Sequence, residues 1–109
     1  MKTVNVLGTQ YEIMFRGKGE DARLDASGDG YCDTSIKVCV VDKMDDADPM
    51  NKSNLHEYRK SVIRHELVHA FLYESGIDGC ADWMSEEMVD WIAIQFPKME
   101  RVFREADAL

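Results

Sequence analysis

The chain has 109 residues, 45% of them hydrophobic, and a formal net charge of -8. That length supports one core and hence one domain, residues 1–109. The acidic balance argues against nucleic acid or an anionic membrane surface as a partner, and no apolar run is long enough to span a bilayer.

Near the start, Lys2 is followed by alternating apolar residues rather than a continuous apolar stretch, so nothing there reads as a signal peptide. A cytoplasmic location is the expectation. Residues 3–7 alternate polar and apolar until Gly8, and Tyr11, Ile13 and Phe15 continue the alternation on one face. This pattern predicts a hairpin or two adjacent strands. Residues 16–30 are charged and glycine-rich and read as a loop. Within it, Asp25, Ser27 and Asp29 resemble the opening of a calcium loop, but Ile36 stands where the twelfth-place glutamate belongs, so a surface turn is expected. Residues 36–41 form a third predicted strand; were it at the edge of a cleft, an extended peptide could add alongside it. Cys32, Cys39 and Cys80 are an odd number without a CxxC spacing, which predicts reduced thiols rather than a disulfide framework or a zinc knuckle. Residues 42–54, with Asp45, Asp46, Asp48 and Pro49, read as an acidic connection.

The next segment carries the chemistry. His65-Glu66-Leu67-Val68-His69 is an HExxH pattern. On a helix it sets two imidazoles one turn apart, where both can hold one divalent metal. Glu66 then lies beside the remaining position, able to take a proton from a water the metal polarises. Leu67, Val68, Ala70 and Phe71 keep the helix apolar around the motif, as a core helix with one stripe open to a cleft requires. Ser53 or Asn54 can cap its start, Asn54 with Glu57 as a capping box, and Gly76 suits the left-handed residue past its end.

Two histidines leave a catalytic zinc site one protein ligand short. The third histidine, His56, lies upstream, and Ser75 occupies the position where a longer histidine-rich motif would end. A downstream carboxylate is therefore required. Glu74 has rotated off the ligand face, and Asp78 and Asp82 fall in a connection. A second helix is predicted over residues 85–96, with Met88, Val89, Trp91, Ile92 and Phe96 apolar and a stop at Pro97. Glu86 and Asp90 lie one turn apart on it. Glu86 is the expected third metal ligand, with Glu87 the alternative. Asp90 is expected to accept a hydrogen bond from a ligand histidine and fix its tautomer. Beyond Pro97, residues 98–108 read as a short terminal helix with Met99, Val102 and Phe103 covering the core. The economical architecture is α+β: a three-stranded sheet packed on the HExxH helix, followed by the second ligand-bearing helix.

The segment HELVHAF, followed by EEMVDWIA, resembles the gluzincin arrangement of zinc metallopeptidases. Its short form resembles the ImmA/IrrE family, small metallopeptidases of phages and mobile elements that cleave transcriptional repressors. The likeness covers about residues 58–97, where Glu86, Val89, Asp90, Ile92 and Ala93 fall on the family's second motif. The N-terminal half matches no part of that family, and residues 1–109 are not expected to hold a helix-turn-helix. The resemblance implies a minimal zincin-like fold, Zn2+ held by His65, His69 and Glu86, Glu66 as general base, and a peptide or protein substrate. Tyr31, His56, Tyr58 and Tyr73 are available to stabilise an oxyanion, with no basis for choosing among them. The rival reading is a zinc-binding interaction or regulatory protein of phage type without turnover; an intact Glu66 weighs against it.

Overall fold

The computed structural model describes residues 2–44 and 54–109. Strands β1 (Lys2–Val6) and β2 (Thr9–Arg16) form an antiparallel hairpin, with Val6 opposite Thr9. Leu7 and Gly8 make the turn with φ of 50° and 95°, the left-handed pair whose twist matches that of the strands. Tyr11 and Ile13 bury one face, as their alternation predicts.

The stretch expected to be a loop is partly ordered. It holds helix α1 (Ala22–Ser27), capped by Asp21, which accepts from the backbone N–H groups of Arg23 and Leu24 at 3.0 and 3.1 Å. Strand β3 (Gly30–Asp33) follows and pairs antiparallel with β4 (Val38–Asp42), which itself runs parallel to β2. Among the described residues the sheet therefore has four strands in the order β1-β2-β4-β3, rather than the three expected. β4 consequently lies inside the sheet, and β3 takes the edge assigned to residues 36–41. A four-residue strand behind Gly28 and Gly30 is too short to show an alternation, and α1 buries only Leu24. The residues of the calcium-like segment also diverge: Asp25 accepts from Gly19 N, and Asp29 accepts from the Tyr58 hydroxyl.

Helix α2 (Leu55–Glu74) begins at Asn54, whose side chain accepts from Glu57 N at 3.3 Å. Ser53 and the acidic stretch 45–53 lie outside the described residues. At the other end, Gly76 (φ 79°) donates to Tyr73 O and Ile77 N donates to Leu72 O, both at 3.0 Å. This is the Schellman closure that a left-handed glycine permits. Val62, Glu66 and Ala70, four residues apart, form the stripe that faces the sheet. Ala70 packs with Val6, Tyr11 and Cys39, and Val62 with Val41 and Met44.

The last turn of α2 is tied to the sheet through Glu74. Its carboxylate accepts from Thr9 Oγ1 (2.9 Å), the Tyr11 hydroxyl (2.7 Å) and Lys37 Nζ (2.9 Å). The Tyr11 and Lys37 bonds lead the causes that hold this carboxyl below its ordinary 4.5. A depressed carboxylate stabilises the fold above its ordinary value and loses that contribution as pH falls through the lower, folded one. Glu74→Gln should therefore lower stability at neutral pH and flatten the acid limb of a stability–pH curve. A variant curve that parallels the wild type into strong acid would contradict this role.

Helix α3 (Glu86–Glu105) does not stop at Pro97, as the sequence predicts; it runs through it. Proline removes an N–H and leaves the carbonyl four residues earlier without its helical donor. That carbonyl, Ala93 O, accepts from Arg64 Nε of α2 at 2.5 Å. The arginine thus compensates the break and links the two helices. The region read as a separate terminal helix is the continuation of α3, and it does not cover the core. Val102 and Phe103 are 59% and 42% exposed, because α3 packs chiefly on α2 and extends past it. Arg64→Ala should cost about 1–3 kcal/mol in denaturant titration by orphaning that carbonyl. In a Pro97→Ala background, where the helical N–H returns, the cost should be markedly smaller; equal costs would argue against the compensation.

Candidate metal centre

His65 and His69 sit side by side on α2, their ring centroids 5.0 Å apart and their planes at 64°. Both are mostly covered, with side-chain exposures of 18% and 22%. The stripe carrying Glu66 faces the sheet, so the neighbouring histidine stripe faces the first turns of α3. Ser85 caps α3, accepting from Met88 N at 3.2 Å, which aims that first turn at the imidazoles.

Glu86 reaches both rings. Its Oε2 lies 3.0 Å from His65 Nε2 and its Oε1 lies 2.8 Å from His69 Nε2. Asp90 Oδ1 lies 3.1 Å from His65 Nδ1. Glu87, the alternative ligand, makes no hydrogen bond or ion pair with any described residue. His56 is exposed in the first turn of α2, away from the cluster.

Proton counting makes this arrangement informative. A neutral imidazole carries one N–H, yet both nitrogens of His65 face carboxylate oxygens. If Nδ1–H donates to Asp90, then Nε2 presents a lone pair towards Glu86. A cation between the Nε2 atoms and Glu86 satisfies every group with neutral rings.

Glu66 adds a second argument. It is only 6% exposed, and no described residue donates a hydrogen bond to it. A carboxylate this covered, open only to the groove, is costly to ionise. Burial pushes its carboxyl up to about 7, against the pull of His65 and with a further push from Glu86. One donor atom from each of His65, Glu66 and His69 lies within 4.8 Å of the others. Two imidazole nitrogens with an adjoining carboxylate are the donor chemistry a zinc ion selects, so the residues present fit the metal.

The cluster opens onto a groove of about 440 Å³. One wall is β3, through Gly30, Tyr31 and Cys32; the floor is the motif; Asp78 and Glu86 close the far side. Of the four oxyanion candidates, Tyr31 lines this groove, but its hydroxyl already donates to Asp21 at 2.8 Å. Tyr58 borders an adjoining pocket that also contains His65 and Asp90. Tyr73 lies beneath Lys37, 4.7 Å from its ring centroid.

The β3 wall was not legible as part of the site. Gly30 is the residue that matters most: a Cβ there would sit 3.0 Å from Val62 Cγ1 and 3.1 Å from Glu66 Oε2 and Val40 O. A glycine next to a strand-like stretch signals such a close backbone approach, though here it reads equally as a loop residue.

No family model, no curated protein and no solved structure matches the chain.

Gly30→Ala is expected to destabilise the fold by about 1–3 kcal/mol, because two of its three clashes are with backbone or a branched core side chain. It should also displace Glu66. A variant of wild-type melting temperature would show that the close approach is not needed.

Proposed function

We propose that this chain is a zinc-dependent peptidase of the gluzincin type, similar to the small ImmA/IrrE metallopeptidases. The observation that carries the reading is a carboxylate pair from α3 meeting ring nitrogens of two motif histidines, beside a mostly buried Glu66 to which no described residue donates. His65, His69 and Glu86 would hold the ion, with Asp90 accepting from His65 Nδ1 and so fixing the tautomer that leaves Nε2 free. A bound zinc would supply Lewis-acid polarisation of a water and of the scissile carbonyl.

Each residue then has a defined task. Glu66, its carboxyl raised towards neutrality by burial, takes the proton of the attacking water and returns it to the leaving amine. Among the described residues β3 is an edge strand with one side unpaired, so a peptide extended along it would pass over the motif. This replaces residues 36–41 as the docking strand. The groove carries Asp78 and Glu86, and a chain of net charge -8 favours neutral or basic segments over acidic ones. A regulatory protein is the substrate class the family resemblance suggests.

Glu66→Gln separates this reading from that of a silent zinc-binding protein. It should bind zinc stoichiometrically while peptide-library cleavage falls by about 10²–10⁴-fold, the usual weight of general acid–base catalysis. If the wild type binds zinc but cleaves no peptide, the silent reading stands instead. Glu86→Ala should weaken zinc binding severely and Glu87→Ala should not; the reverse pattern would reassign the third ligand.

A further inference from the structure

Cys32 of β3 stands directly opposite Cys39 of β4. Three pairs along the same ladder, Asp42 N donates to Asp29 O at 2.8 Å. Hydrogen-bonded and open pairs alternate in an antiparallel ladder, so Asp29–Asp42 and Tyr31–Val40 are hydrogen-bonded. Gly30–Val41 and Cys32–Cys39 are open pairs, in which facing side chains come closest. The two Sγ atoms are 3.5 Å apart, with the Cys39 thiol donating to the Cys32 sulfur. Their settings differ. Cys39 is 1% exposed in the core with Val6, Tyr11 and Ala70, whereas Cys32 is half-buried and lines the groove beside the histidines.

We propose that Cys32 and Cys39 form a thiol–disulfide redox site in the wall of the groove, with a small-molecule disulfide of the glutathione class as oxidant. The accessible Cys32, as thiolate, attacks one sulfur of the small disulfide. One small thiolate leaves and takes up a proton, and Cys32 becomes a mixed disulfide. Cys39 then attacks the Cys32 sulfur, its S–H proton passing to the second departing thiolate. Two protein thiols are oxidised by two electrons, and one small disulfide becomes two small thiols. Open cross-strand pairs have Cα atoms about 4.5 Å apart, inside the range disulfides span, so rotation of the side chains closes the bond without shifting the strands. Oxidation would pin the edge strand β3 to the interior β4 at the rim of the groove.

Neither sulfur belongs to the proposed zinc ligand set, and the test reads thiols rather than turnover, so it is independent of the peptidase reading. The metal-free full-length chain is equilibrated in glutathione buffers of graded oxidising strength and quenched in acid. It is then unfolded, alkylated and mapped by mass spectrometry. In oxidising buffer the wild type should lose alkylation at Cys32 and Cys39 alone, keep it at Cys80, and weigh about 2 Da less before alkylation. Cys39→Ala, an apolar replacement in the core, should stop at glutathione attached to Cys32. The wild-type mapping stands whether or not that variant folds. Alkylation of both Cys32 and Cys39 in the most oxidising buffer, a bridge involving Cys80, or glutathione retained on wild-type Cys32 would each overturn the proposal.

Discussion

The constraint from which the rest follows is the burial of Glu66. A carboxylate on the face of a core helix that packs against a sheet, open only to a groove, is costly to ionise without a nearby donor or cation. The chain offers it no donor among the described residues. Instead, the sheet withdraws from it: Gly30 carries no side chain where any Cβ would touch the carboxylate. The helix that buries Glu66 is the one whose adjacent stripe presents His65 and His69. A cation held at those imidazoles would supply the counter-charge for this carboxylate.

The two long helices are held in register by contacts on both sides of that centre. At the mouth of the groove, Glu86 and Asp90 engage three ring nitrogens. One turn deeper, Arg64 takes the carbonyl that Pro97 releases on α3. At the far end of α2, Glu74 is fastened to Thr9, Tyr11 and Lys37 of the sheet region. The motif therefore lies on a helix fixed at its C-terminal turn and along its α3 side, the rigidity a site of this kind requires.

Legibility in the sequence followed the strength of the local signals. The hairpin, the boundaries of α2 and the start of α3 were readable, because alternation, Asn54, Gly76 and Ser85 each act within a few residues. Glu86 and Asp90 were selected by their one-turn spacing, and both meet the histidines. What could not be read depends on tertiary partners. β3 is strand only because β4 pairs with it, and α1 needs the pocket that buries Leu24. Continuation of α3 through Pro97 depends on an arginine more than thirty residues earlier in the chain. The same holds for Gly30, whose role exists only once Val62 and Glu66 are placed against it.

Cobalt(II) substitution probes the His65–His69–Glu86 centre itself, because its visible spectrum reports ligand type and geometry at the ion. Saturable binding of one cobalt per chain is expected, with ligand-field bands of a low-coordinate nitrogen–oxygen site. Thiolate charge transfer should be absent, and the spectrum should be lost when His65 or His69 is replaced. No saturable binding, or an intense thiolate band placing Cys32 on the metal, would contradict that centre.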